Sequence, residues 1–192
     1  MHQPDTRRRE HLRALLQALE ADDATEARHK SRMLELLDVA DDPFSGEHYV
    51  PGHFTASAFI VTPNASALLL ILHQKLGRWL QPGGHMEASD VDVLQAVRRE
   101  VHEEVGLVDL PLRQSGLLDV DIHAIPARGA VPAHEHFDVR FVFEAPTQEA
   151  TAGSDARDAR WVSLNEVESI ESDASVMRAV RKLRSQSQAG RH

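Results

Sequence analysis

An α/β chain with a helical extension at its N-terminus is the fold class this sequence predicts, and three observations carry it. Five segments rich in β-branched and large apolar residues, at 54–61, 67–73, 115–125, 134–144 and 159–163, are set off by Pro, Gly and Asn turns and read as strands. Between the second and third of them, Leu94, Val97, Val101 and Val105 recur at three- and four-residue intervals, one buried helical stripe that Gly106 ends. Two leucine-rich amphipathic segments precede the first strand.

Composition limits the function classes. A chain of 192 residues with 42% hydrophobic content holds one domain with a sizeable core plus an appendage. The formal net charge of -9 argues against nucleic acid as a partner, because phosphate-backbone binding is carried by clustered Lys and Arg. There is no cysteine, which excludes disulfides, thiolate zinc sites and cysteine nucleophiles and fits a reducing compartment. The first ten residues are polar, and the longest apolar run, 67–72, is far too short to span a bilayer. The expectation is a cytoplasmic protein with no membrane partner.

Taking the elements in order, residues 9–21 carry Leu12, Leu15, Leu16 and Leu19 in helical register, and Asp22-Asp23 interrupts them. Residues 25–39 follow with Met33, Leu34, Leu36 and Leu37. Two short amphipathic helices joined by a tight turn form a hairpin that must bury its stripe, either on the main domain or on a second copy of the chain. A packing role or a homodimer is expected here, since no chemical motif lies on these helices. Residues 41–46 read as a boundary loop, so the hairpin extension is assigned to 1–48 and the main domain to 49–192.

Lys75 and Arg78 lie in the connection after the second strand. They read equally as surface solubilisers or as phosphate contacts, and are carried as candidate substrate-binding residues. Trp79 reads as a cover over the glycine turn at Gly83-Gly84. The helix beyond that turn bears Glu100, Glu103 and Glu104, related as i, i+3 and i+4, so they share one flank beside the apolar stripe. Three like charges that close are costly unless neutralised, and hard cations such as Mg²⁺ take oxygen ligands of this type.

In residues 134–144, Phe137, Val139, Phe141 and Phe143 fall on one strand face, which leaves His134, His136, Asp138 and Arg140 on the other. Such a row suits gripping phosphates or completing a metal shell, against the plainer reading of a solvated face. Ser163 and Glu166 have capping-box spacing for a short helix, and residues 173–184 carry Val176, Val180 and Leu183 at helical spacing. The segment 185–192 is a short polar tail.

Gly84, the acidic Asp90 six positions on, and Arg99-Glu100-Val101-His102-Glu103-Glu104-Val105-Gly106-Leu107 resemble the Nudix box, G-x5-E-x7-R-E-U-x-E-E-x-G-U with U aliphatic. The second half matches at every specified position. The first half has Asp for Glu, and eight residues rather than seven before Arg99. The extra residue falls at the loop-to-helix junction, where a turn absorbs it, and it leaves Asp90 either as partner of Arg99 or as the helix N-cap.

The resemblance covers roughly residues 51–184. It implies a Nudix-type α/β/α sandwich around a mixed sheet, and hydrolysis of a diphosphate linked to another moiety as a small-molecule substrate. Carried onto this sequence, it implies Glu100 and Glu104 as the principal Mg²⁺ or Mn²⁺ ligands, Glu103 on a further ion, the Gly84 carbonyl as an additional ligand, and Arg99 orienting the carboxylates. The proton of the attacking water would go to Glu100, Glu103 or a downstream group such as Glu135 or Glu144. Nucleoside triphosphates, nucleotide sugars and dinucleotides all fit the box. For stacking on a base the candidates are Tyr49, Phe44 and Trp79. Two other readings are weighed. The isopentenyl diphosphate isomerase of this fold lacks its thiol here, whereas a non-catalytic nucleotide or nucleotide-sugar sensor acting through a protein partner would not need Arg99, Glu100, Glu103 and Glu104 intact.

Overall fold

The computed structural model describes residues 3–74, 76–145, 153, 156–170 and 174–189. Two N-terminal helices, α1 (Gln3–Ala18) and α2 (Ala24–Val39), are followed by β1 (Gly52–Val61), β2 (Ala67–His73), β3 (Trp79–Leu80) and β4 (Gly83–His85). Then come α3 (Val93–Val105), β5 (Asp119–Ile125), β6 (His134–Glu144), β7 (Ala156–Ser163), a single 3₁₀ turn at Val167–Ser169, and α4 (Ala174–Ala189).

The strands form one mixed sheet with the path β3-β2-β1-β6-β5, β4 adding to β1 and β7 to β2. β1 lies at its centre. It runs parallel to β6 from Gly52 opposite Glu135 to Val61 opposite Glu144, while β2 holds its last two residues and β4 its middle, Thr55 to Ser57. All other pairings are antiparallel.

Side-chain alternation sends the sheet's apolar residues to two cores. Ala56, Ala58, Ile60, Phe137, Val139, Phe141 and Phe143 meet α1, α2 and α3 on one face; Phe59, Val61, Leu68, Leu70 and Val142 meet Val176, Ala179, Val180 and Leu183 of α4 on the other. Helices on both faces make the expected α/β/α layering. Leu12, Leu16, Leu19, Met33, Leu36 and Leu37 belong to the first core, so the hairpin's stripe is buried within its own chain. Each fully buried leucine there contributes about 1.5–3 kcal/mol, and burying the stripe requires no second copy. The tight turn at Asp22-Asp23 has a mechanism: Asp23 caps α2, accepting the Glu26 N–H at 2.8 Å.

Three local expectations differ from the structure. The strand expected over 115–125 begins only at Asp119, because Gly116 takes a positive φ of 96° and keeps its neighbours in a loop. Ser163 and Glu166 do not form a capping box; Ser163 Oγ accepts from the Asn165 N–H at 3.3 Å, and the segment closes into the 3₁₀ turn. α1 extends further toward the N-terminus than residue 9. No helix among the described residues is long and apolar enough to cross a membrane.

Candidate active site

The geometry of α3 follows from its ends and its stripe. Asp92 caps it, accepting the Gln95 N–H at 2.8 Å, and Gly106 takes the left-handed conformation (φ 70°) just past the last turn. Val93, Ala96, Val97, Val101 and Val105 are buried in the first core, which turns Glu100 and Glu104 toward β4. The Glu104 carboxylate is nearly enclosed and accepts the Gly83 N–H at 2.8 Å. At Gly84 a Cβ atom would stand 2.6 Å from the Glu100 carboxylate, so a larger residue there would push that carboxylate from its place. The side chain of Glu100 is 15% exposed and that of Glu103 50%.

Arg99 ties the cluster together. Its guanidinium donates to Asp90 at 3.0 and 3.3 Å, to Glu100 at 3.0 Å, to Glu103 at 3.1 Å and to the His85 carbonyl at 2.8 Å. Asp90 is therefore the partner of Arg99, and Asp92 takes the capping role; the longer spacing has been absorbed in the turn. Burial pushes the Glu100 carboxyl up against the pull of Arg99, with Glu103 and Asp90 adding to the rise. Arg8 of α1 donates to the carbonyls of Glu87 (3.2 Å) and Ala88 (2.7 Å), so the N-terminal hairpin steadies the same turn.

The polar face of β6 is also assembled as its alternation predicts, and it is wider than β6 alone. His136 lies in register between His53 of β1 and His123 of β5, and Asp138 lies beside Asp121. Ring centroids of His53, His85 and His136 are 4.9–5.0 Å apart, and His134 stacks on His53 at 5.1 Å. Burial, chiefly, holds His53 down to about 4 and His136 far below its usual value, so both rings are neutral at pH 7.

Further along this face the row becomes a buried ionic network. Arg140 is 1% exposed and donates to Asp138 (2.8 Å), Asp119 (3.0 Å) and Ser175, while Arg178 of α4 grips Asp119 and Asp121. Asp138 also accepts from Thr55 (3.2 Å) and Ser57 (2.8 Å), and at 3% exposed it orders the floor of the sheet. Lys182 closes the network on the buried Glu26 of α2 and the Leu118 carbonyl.

The other expected contacts are spread out. Arg78 is exposed on the β2–β3 connection, and Lys75 falls outside the described residues. Of the stacking candidates, Phe44 is buried against Phe54 and the Trp79 ring is covered by the Arg160 guanidinium at 4.6 Å. Tyr49 stands beside His134, ring centroids 5.1 Å apart. Glu135 is paired with Arg32, and Glu144, at the far end of β6, with Arg113.

A sequence model of the NUDIX domain matches residues 52–182. The chain belongs to the Nudix family. As a Nudix pyrophosphohydrolase it acts on acid anhydrides in phosphorus-containing compounds, namely nucleoside diphosphate derivatives as a class. Solved Nudix structures share the fold. The NUDIX domain of Shewanella oneidensis NrtR complexed with ADP ribose superposes with a TM-score of 0.56 at 19% identity, over 79% of this chain and 96% of that one. The MutT protein from Methanosarcina mazei Go1 gives 0.56 at 16%, over 69% and 93%, and a MutT NUDIX hydrolase from Burkholderia pseudomallei 0.53 at 24%, over 67% and 95%. A search of curated proteins returns no match.

Sequence reasoning missed that this Nudix domain places His53 and His85 beside His136. The signal was present for His53: it alternates with Thr55 and Ser57 against Phe54 and Ala56, the same two-residue period that exposed the polar face of β6. His85 carried no such pattern, because β4 spans only three residues.

Proposed function

We propose that this Nudix protein is a metal-dependent hydrolase in which water attacks phosphorus at a diphosphate linkage of a nucleoside triphosphate, nucleotide sugar or dinucleotide. The observation that carries the reading is the closeness of the Gly83-Gly84 backbone to Glu100 and Glu104, a cradle of oxygen donors that a single Cβ would fill. Nudix hydrolases generally use divalent metal ions, and the donor set fits Mg²⁺ or Mn²⁺: carboxylates and a backbone carbonyl, all hard oxygen ligands.

Glu100, Glu104 and the Gly84 carbonyl would hold the cation, with Glu103 serving a further ion. When bound, it offsets the negative charge of the diphosphate and makes a water easier to deprotonate. Arg99, anchored by Asp90 and the His85 carbonyl, holds Glu100 and Glu103 in place. One of these two carboxylates accepts the water's proton as the bond to the bridging oxygen breaks. Glu144 is set aside as a base because it lies opposite Val61 at the far end of β6, whereas β4 and its cradle pair with Thr55–Ser57; Glu135 is kept as the alternative acceptor. Lys75, Arg78, His134 and His136 would meet the substrate, with Asp138 ordering the strands beneath them. The cysteine-free composition supports a cytoplasmic setting.

The substrate class is tested by a panel of nucleoside triphosphates, ADP-ribose and other nucleotide sugars, and dinucleoside polyphosphates with Mg²⁺ or Mn²⁺, alongside Glu104→Gln. One class turned over by the wild type and not by the variant is the expected result. Tight nucleotide binding with no turnover of any class would replace this reading with a sensor.

A further inference from the structure

Three imidazoles converge on the face of β4 opposite the carboxylate cradle, since His85 pairs with Thr55 while Gly84, against Glu100, pairs with Ala56. One ring nitrogen each from His53, His85 and His136 lies within 4.8 Å of the other two. They come from three different strands, β1, β4 and β6, so no local helix or loop periodicity accounts for their meeting.

The decisive atom is Nε2 of His53. The residue is fully buried, and its Nδ1 lies 3.1 Å from the His48 carbonyl. A carbonyl only accepts, so Nδ1 carries the hydrogen and the neutral ring keeps its lone pair on Nε2. That nitrogen is buried and has no hydrogen-bond partner among the described residues. An acceptor sealed from water without a partner is costly. A ring N–H given to a backbone carbonyl, with the other nitrogen aimed inward, is also how metal-binding histidines are oriented.

We propose that His53, His85 and His136 form a nitrogen-donor site for a divalent transition metal of the zinc type, separate from the oxygen-donor site of Glu100 and Glu104. Imidazole nitrogens suit Zn²⁺ and its neighbours in the first transition row, whereas Mg²⁺ and Mn²⁺ prefer oxygen. Around one tetrahedral Zn²⁺ the three nitrogens would stand roughly 3.3 Å apart. Small rotations of the rings, above all of the exposed His85, bring them there. Three protein ligands leave a fourth position for water or a substrate oxygen. His134, whose Nδ1 is given to the Pro132 carbonyl at 2.8 Å, stacks behind His53 as a support. The proposal holds whichever diphosphate is hydrolysed.

The test is a titration of metal-stripped, full-length protein with Co²⁺, read by visible absorption. A nitrogen-rich four-coordinate site gives a strong band, and a six-coordinate oxygen site a weak one. One equivalent of Co²⁺ is expected to give the strong band, displaced by Zn²⁺ and untouched by excess Mg²⁺. His85→Ala, confirmed as folded by the circular dichroism of the apo protein, should weaken Co²⁺ binding by about 100-fold or more. His136→Gln should do the same, while the double variant Glu100→Gln, Glu104→Gln should keep the band. Absence of the band in the wild type overturns the proposal. So does a band that survives His85→Ala and is lost with the two glutamates, or binding of inorganic phosphate in place of Co²⁺.

Discussion

The carboxylate cradle and the histidine–aspartate face of the sheet meet at His85 but are built in opposite ways. The cradle is local: one turn and one helix, with Glu100 and Glu104 placed by a single stripe of valines. The sheet face is distributed: β1, β4, β5 and β6 contribute His53, His85, Asp121 and His136, and α4 and α2 seal it with Arg178, Lys182 and Glu26. Local construction makes hard oxygen donors that helix spacing alone specifies. Distributed construction makes buried charges and imidazoles whose geometry depends on the register of the whole sheet. Changes in the cradle should therefore cost activity, and changes in the face should cost stability.

The largest effect is expected at the cradle. In Glu104→Gln the amide oxygen still accepts the Gly83 N–H, so the backbone there is preserved while the charge proposed to hold the cation is lost. Turnover with Mg²⁺ should fall by about 10²–10⁴-fold with a melting temperature near that of the wild type. Near-normal turnover would show that the cradle is not where the chemistry happens.

The sheet face gives the mirror result. Arg140→Met leaves Asp119, Asp121 and Asp138 buried with one cation fewer, and breaking a buried pair in this way costs about 3–5 kcal/mol. Urea unfolding should register that loss. Its absence would mean that water enters the network and that the face is not sealed. Gly84→Ala tests the seam between the regions: its Cβ meets the tip of the Glu100 side chain, which can swing aside, so stability should change little while turnover falls as Glu100 leaves its place. Unchanged turnover in this variant would show that the position of Glu100 does not matter to the reaction.

The same contrast explains what could be read from the sequence. Glu100, Glu103 and Glu104 were legible because a helix converts spacing directly into a shared flank, and the Phe137, Val139, Phe141 series gave one face of β6 in the same way. The layered fold was legible through the box and the alternation of strands. What was not legible depends on partners distant in the chain. Nothing in the stretch from 134 to 144 says that His136 pairs with His53 rather than with solvent, or that Arg140 is enclosed by Asp119 and Arg178 instead of reaching a phosphate. Whether Asp90 pairs with Arg99 or caps the helix rested on one turn's geometry: Arg99 reaches Asp90, and the cap falls to Asp92, which the spacing did not single out.

Acid should separate the two groups of the face in metal-stripped protein. His53 is held near 4 by burial, with a further downward push from His85, His134 and His48, so its folded value lies below the unfolded value of about 6.5. The unfolded chain binds the proton first; stability is therefore full above about pH 6.5 and declines as pH falls toward 4, by up to about 1.4 kcal/mol per unit from this one ring. His136 adds to the decline. His123 opposes it: burial lowers it, but the bond to Asp121 together with the charges of Asp138 and Asp121 raises it overall, so its contribution is lost only as pH rises. Asp119 and Asp121, held down by Arg178, Arg140 and His123 against burial, lose their contribution only below about pH 3.9. Melting temperatures that stay flat from pH 7 to 4 would show that the folded chain takes up as many protons as the unfolded one, so that His53 and His136 are not held down.

The smallest effect is expected at the rim, where Arg32 of α2 pairs with Glu135 and lies over the Phe137 ring at 5.4 Å. Both partners are about a third exposed, and such pairs contribute about 0.2–1 kcal/mol. Glu135→Gln should therefore shift the melting curve only slightly, and leave turnover within about twofold of the wild type, since Glu100 and Glu103 are the proposed proton acceptors. Arg32→Ala should lose more than Glu135→Gln, because it also removes the contact with Phe137. A drop of 10²-fold in turnover in Glu135→Gln, with the fold intact, would move the general base from the helix to the sheet and end the division of labour between the two regions.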